Sequence, residues 1–285
     1  MIPIAILLSA ALPTLSPSQQ ILFVGNSFTF GAFSPVQTWN GGSVSDLNHE
    51  GIGGVPALVK RFADESGMRL DVSLETSPGK SLEWHWDNRR ALFDRRWDRV
   101  VLQEFSTLDA ERPGNPGKLI SYSGKLAQLF RARNPRVEVG LVATWSRPDL
   151  TWPAGKPWSG KPIAAMAEDI ARGDAAARRA TLAIRAVYPV GAAFTCAISA
   201  GIADPNPYDG LTPGTIDLWA SDHYHASTAG YYLEALTIFA GIGGRDVRRL
   251  GRTESAAAEL GIAPQLVGRL QQVAFEVSTG GCHSH

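Results

Sequence analysis

The sequence has little of what marks several protein classes. Only two cysteines, Cys196 and Cys282, occur in 285 residues, and Cys196 sits in an apolar run, AAFTCAI, that reads as core; no disulfide framework is implied. Net charge is absent as well. Lys plus Arg equals Asp plus Glu at 27 each, so no field draws in nucleic acid or an anionic membrane, and partners are expected to be neutral or mixed in charge. No internal repeat, low-complexity tract or linker divides the chain. An apolar run lies at the start, MIPIAILLSAALPTLSPSQQ, and is too short for a membrane span. Followed by small residues and proline, it has the form of a secretory signal peptide, although no Lys or Arg precedes Lys60. The expected organisation is a signal peptide at 1–20, one catalytic domain at 21–250, and a helical extension with a frayed tail at 251–285, in a secreted or periplasmic protein. A buried first helix is the alternative reading of the start.

What is present is an alternation of apolar runs and helical patterns, which predicts an α/β domain with a central parallel sheet covered on both faces. Strands are expected at 21–25, 70–75, 99–103, 137–144 and near Val190. Helices are expected at 55–65, 117–133 and 163–187, with helical spacing again from 252 to 278. In such doubly wound sheets ligands bind at the carboxyl ends of the strands, so residues just after each strand are the ones to read for chemistry.

The first strand runs ILFVGNSFT, with Gly25 and Asn26 turning the chain so that Ser27 stands at its end. A serine there suits a nucleophile, with backbone N–H groups of the turn available to an oxyanion; capping of the next helix is the ordinary alternative. Far along the chain, Asp222 and His225 stand three apart in WASDHYHAS, on a turn that enters a helix. At that spacing a carboxylate reaches the ring of the same histidine and fixes its tautomer, leaving the other nitrogen to deprotonate a serine.

The GNSFT block and the Asp-x-x-His block followed by Ser-x-x-Gly-Tyr-Tyr-Leu resemble the SGNH (GDSL-like) hydrolases over about residues 21–243. The resemblance implies a flavodoxin-like three-layer α/β/α sandwich and a serine esterase without cofactor, with Ser27, Asp222 and His225 as catalytic residues. It also implies an oxyanion hole made of the Ser27 N–H, a glycine N–H and a side-chain amide. The second block matches at TSPGKS, which makes Gly79 the expected donor. The third departs from the usual pattern, because strand three ends LQE and offers Gln103 where asparagine is common; glutamine keeps the amide but is one methylene longer. Asn26 likewise stands where aspartate is common. Together the GNS and LQE signatures resemble one branch of the superfamily. Glu104 reads as a structural partner.

His223 and His225 form a His-x-His pair that raises a zinc reading, but no third ligand follows at a characteristic spacing, so no metal is assigned. The long loop after strand four carries Trp145, Trp152 and Trp158, and Trp219 precedes the Asp-x-x-His block. Trp145, Trp152 and Trp219 are expected to line the substrate site, with loop packing as the alternative. The expected substrate is a small-molecule or carbohydrate ester, such as an O-acylated sugar. A lipid ester, or a non-catalytic carbohydrate-binding protein on the same fold, are the rivals.

Overall fold

The computed structural model describes residues 18–243 and 246–282; the expected signal segment lies outside the described residues up to position 17, as do positions 283–285 of the tail. Six strands, β1 (Gln19–Gly25), β2 (Ser45–Asp46), β3 (Leu70–Thr76), β4 (Arg99–Leu102), β5 (Glu138–Val142) and β6 (Ile184–Tyr188), form one parallel sheet in the order β2-β3-β1-β4-β5-β6. After the two-residue edge strand β2, the remaining order is that of a doubly wound flavodoxin-like sheet, the architecture the alternating pattern predicts.

Each central strand is apolar on both faces because both are covered. In β1, Ile21 and Phe23 point into one buried cluster and Leu22 and Val24 into the other, the two-residue period of a strand read out as two cores. The first core is closed by α1 (Ser27–Phe30), α2 (Gly54–Glu65), α8 (Val190–Ser199), α9 (Thr228–Gly243), α10 (Ser255–Glu259) and α11 (Pro264–Ser278). The second is closed by α3 (Leu82–Asn88), α4 (Arg90–Phe93), α5 (Gly117–Arg133) and α7 (Ala164–Ala180), while the single turn α6 (Pro148–Thr151) lies in the loop after β5. Among the described residues, no helix is long and apolar enough to cross a membrane.

Two expectations are corrected here. The helix expected over 163–187 stops at Ala180, because Thr181 is extended (φ −135°, ψ 105°), and the apolar residues that follow form β6. A short apolar run satisfies helical and strand periods alike, which is why the last strand was expected later, near Val190, where α8 begins. The cysteines also differ from expectation. Cys196 is buried on α8 as core, yet it is disulfide-bonded to Cys282 across 86 residues, so the chain after α11 is tied back to the helix layer. Spacing in sequence gives no sign of such a bond; only the packing of α11 against α8 and α9 brings the two together.

Register places the candidate site. In the β1–β3 pair Gly25 lies opposite Thr76, and in the β1–β4 pair Val24 lies opposite Leu102. The segments starting at Asn26, Ser77 and Gln103 therefore leave the sheet side by side, where the chain turns from β1 to neighbours on opposite sides.

Candidate active site

Asn26 caps the short helix α1, its Oδ1 accepting the Phe28 N–H at 3.2 Å, and Ser27 is the first helical residue. The first N–H groups of a helix have no acceptor within it, so the Ser27 N–H is left for another partner. Gly25 is required here by space. A Cβ at that position would collide with Thr29 Oγ1 and come within 2.8 Å of Gln103 Oε1.

Gln103 is held against the underside of this turn. Its Oε1 accepts the Asn26 N–H at 2.9 Å and the Thr29 hydroxyl at 3.1 Å, and its Nε2 donates to the Glu104 carbonyl. The backbone donor fixes which end of the amide is oxygen. Expected as an oxyanion donor, Gln103 is buried and ties the end of β4 to the β1 turn, with one of its two amide N–H groups given to the Glu104 carbonyl.

The second block is joined to the same turn through Ser77 N–H to Gly25 O (3.1 Å) and Asn26 Nδ2 to Lys80 O (3.0 Å). Gly79 takes φ +64°, the left-handed region open to glycine, is exposed, and its N–H donates to no acceptor among the described residues. Glu104 completes the brace, its Oε1 accepting the N–H groups of Leu82 (3.2 Å) and Phe105 (2.7 Å). Burial pushes the Glu104 carboxyl up to about 7, against the lowering effect of those two bonds. Asp174 on α7 is raised well above its ordinary range by burial first and by the nearby Glu104 second.

Asp222 and His225 meet as their spacing predicts. Asp222 Oδ2 lies 2.6 Å from His225 Nδ1, and Oδ1 accepts the N–H groups of Tyr224 (3.1 Å) and His225 (3.0 Å). Burial raises the Asp222 carboxyl, but the bonds from the His225 ring and the two backbone donors outweigh it, and the net direction is down. The other ring nitrogen, Nε2, is buried without a hydrogen-bond partner. The imidazole stands beside the turn that carries Ser27: Phe28, directly after Ser27, meets it edge-on at 5.7 Å, and Phe33 stacks on it at 4.8 Å. Tyr231 of α9 closes the gap, its hydroxyl 3.3 Å from the Ser27 carbonyl and 3.1 Å from that of Ala32.

The tryptophans separate. Trp145 is fully buried, stacked between Phe28 (4.0 Å) and Phe194 (5.0 Å), with its indole N–H on the Tyr224 carbonyl. Trp219 is buried too, its N–H on the Ser146 carbonyl. Neither faces a substrate; both were expected to, and both are core supports of the 222–225 loop, because a large ring with one donor is satisfied by packing plus a carbonyl. Trp152 alone of the three is exposed (41%), held by Pro205 O. Trp158 is buried.

Three features carried no recognised sequence signal. A cleft of about 360 Å³ opens beside Gly79, lined among others by Lys80, Trp84, Phe105, Asp109 and Lys118. Arg147 lies 3.5 Å over the Tyr224 ring, pairs with Asp149 and donates to Ser106 Oγ (3.0 Å), so it joins the loops after β4 and β5 to the one bearing His225. Glu75 and His85 form a second carboxylate–imidazole pair, wholly buried. Trp84 of the cleft and His85 of the buried pair are neighbours in the WHW run that follows the second block. His223 packs on Tyr208 at 4.4 Å. Among the described residues no group of three or more His, Cys, Asp or Glu is placed to hold a metal ion.

No family model and no curated protein sequence matches this chain. Solved structures do. A DUF4886 family protein from Bacteroides uniformis is similar over 91% of this chain and 94% of its own, at 20% identity and a TM-score of 0.63. A protein described as a GDSL-like lipase from Parabacteroides merdae matches over 81% and 99%, at 14% identity and a TM-score of 0.54. The lipase/acylhydrolase from Enterococcus faecalis matches over 80% and 96%, at 16% identity and a TM-score of 0.50. At these identities the likeness is one of fold, an α/β/α sandwich around a central parallel sheet.

Proposed function

We propose that the chain is a serine esterase of the SGNH type that removes acyl groups from carbohydrate. One observation carries the reading: a histidine oriented by a carboxylate at 2.6 Å, with its second nitrogen buried and unpaired, whose ring packs on Phe28, the residue after Ser27 at the end of the central strand.

In the proposed reaction His225 Nε2 takes the proton of Ser27 as Oγ bonds to the ester carbonyl carbon. The tetrahedral oxyanion is held by the N–H groups of Ser27 and Gly79, each worth roughly 3 kcal/mol in comparable sites. The carbonyl then re-forms, the C–O bond to the alcohol breaks, and His225 returns its proton to the leaving oxygen. Water, deprotonated by the same nitrogen, repeats the sequence on the acyl-enzyme and frees the acid and Ser27. Asp222 holds the imidazole in one tautomer and steadies its charged form. Gln103 works through the turn it braces.

The leaving alcohol must reach His225, and the exposed aromatics Phe33 and Tyr208 pack on His225 and His223, with exposed Trp152 held by the Pro205 carbonyl in the segment that leads to Tyr208. Flat apolar faces beside polar loops suit a sugar ring. The cleft beside Gly79 then lies open to the acyl part. The neighbour from Enterococcus faecalis, a lipase/acylhydrolase, supports ester chemistry on this fold. The Cys196–Cys282 bond favours an oxidising compartment, in keeping with an exported protein.

The test is turnover of p-nitrophenyl acetate and of acetylated xylo-oligosaccharides by the wild type and by Ser27→Ala. Both substrates are expected to be cleaved, and the variant to be inactive on both with an unchanged circular dichroism spectrum. Residual activity in Ser27→Ala would remove Ser27 from the mechanism. Oligosaccharide binding without any turnover would favour a non-catalytic binding protein.

A further inference from the structure

Phe33 combines three properties that seldom coincide. It is 69% exposed, its backbone is left-handed at φ 62°, and its ring stacks on the imidazole of His225 with centroids 4.8 Å apart and planes 24° from parallel. A bulky residue in that backbone region is strained, and a ring so exposed gains little from core burial. The surroundings impose the conformation. Ala32 is fixed by its N–H on Ser27 O (3.0 Å) and by the Tyr231 hydroxyl on its carbonyl, and Ser34 is fixed by its hydroxyl 3.0 Å from that of Thr228. Both Tyr231 and Thr228 belong to α9, the helix that follows the His225 loop. One scaffold thus sets the imidazole and the ring that covers it.

The chemistry says what the outer face of that ring meets. The alcohol oxygen of an ester leaves with the proton that His225 carried, so the alcohol lies on the imidazole side of the scissile carbonyl, while the oxyanion lies toward the Ser27 and Gly79 N–H groups. The inner face of Phe33 is on His225; its outer face is open to solvent.

We infer that Phe33 is a specificity-determining residue, the contact surface for the leaving alcohol, and that it selects alcohols with a saturated or aromatic ring over small acyclic ones. This rests on the esterase reading above. A ring laid against Phe33 desolvates the proton-transfer path and is oriented by the same side chain that faces the general base; ethanol, with two carbons, covers little of it.

The experiment measures kcat/KM for cyclohexyl acetate and ethyl acetate with the wild type, Phe33→Gly and Phe33→Tyr. Glycine adopts φ 62° without strain, so the variant keeps the backbone path, which thermal unfolding checks. Labelling of Ser27 by a fluorophosphonate reports the nucleophile independently of substrate choice. Phe33→Gly is expected to lose about tenfold on cyclohexyl acetate and less than about threefold on ethyl acetate, with labelling retained and Phe33→Tyr near wild type. An equal loss on both esters would show that Phe33 acts only through His225, and no loss on either that the ring is idle; each overturns the inference. A wild type that cleaves neither ester and does not label at Ser27 overturns the esterase reading instead, and this one with it.

Discussion

Gln103 Oε1 accepts the backbone N–H of Asn26 at 2.9 Å, across 77 residues of sequence, and so couples the end of β4 to the turn that presents Ser27. A buried N–H satisfied in this way is costly to orphan.

Replacing Gln103 by alanine is therefore expected to destabilise the protein by about 1–3 kcal/mol, a fall in melting temperature of roughly 3–10 °C for a chain of this size, together with a loss of kcat/KM. Thermal unfolding and kinetics on the same preparation decide the role. A rate loss on the order of a hundredfold with an unchanged melting temperature would mark a direct oxyanion donor instead.

Asp222→Asn preserves shape but offers an amide donor to Nδ1, which selects the wrong tautomer. A fall in kcat/KM on the order of 10⁴ is expected, with little change in substrate binding. Because the Asp222 carboxyl is held below its ordinary range, the native interaction is complete above the unfolded carboxylate pKa and is lost only as pH falls through the lower folded value. Urea titrations of wild type and Asp222→Asn between pH 2 and 6 should converge at the acid end of that range.

Glu104 gives the opposite sign. Its folded value, about 7, lies above the unfolded 4.5, so the folded state holds a proton the unfolded state has released between those values, and stability falls as pH rises across that window. Glu104→Gln keeps an acceptor for the Leu82 and Phe105 N–H groups and removes the titration. Relative to the wild type it should gain stability between pH 5 and 8, by an amount on the order of 3 kcal/mol, measured by denaturant unfolding.

Reduction of Cys196–Cys282, or its replacement by a serine pair, opens a loop of 86 residues. Destabilisation of about 2–4 kcal/mol is expected, with the proposed esterase activity at 25 °C retained, since the bond joins α8 to the segment after α11 rather than any element bearing Ser27 or His225. Melting curves with and without reductant measure it.

Much of the sheet was legible because parallel strands buried on both faces are written as short apolar runs, and those at Ile21, Leu70 and Arg99 end within a residue or so of where β1, β3 and β4 end. The Asp222–His225 contact was legible because it is local, three residues on one turn. What the sequence concealed depends on distance in the chain. Whether a tryptophan is core or wall depends on what packs on it, as Phe28 and Phe194 do on Trp145. The direction of the Gln103 amide depends on an N–H far upstream, and the Cys196–Cys282 bond on where α11 docks. Phe33 gave no sign at all, since neither its backbone angle nor its exposure is encoded in a motif.

The central claim is that Ser27 is a nucleophile primed by His225, and the direct measurement is fluorophosphonate labelling followed by peptide mapping. The account predicts one phosphonylated residue, Ser27, with labelling lost in Ser27→Ala and slowed by at least about a hundredfold in His225→Ala. Label on another residue, or none on a folded protein, would contradict it.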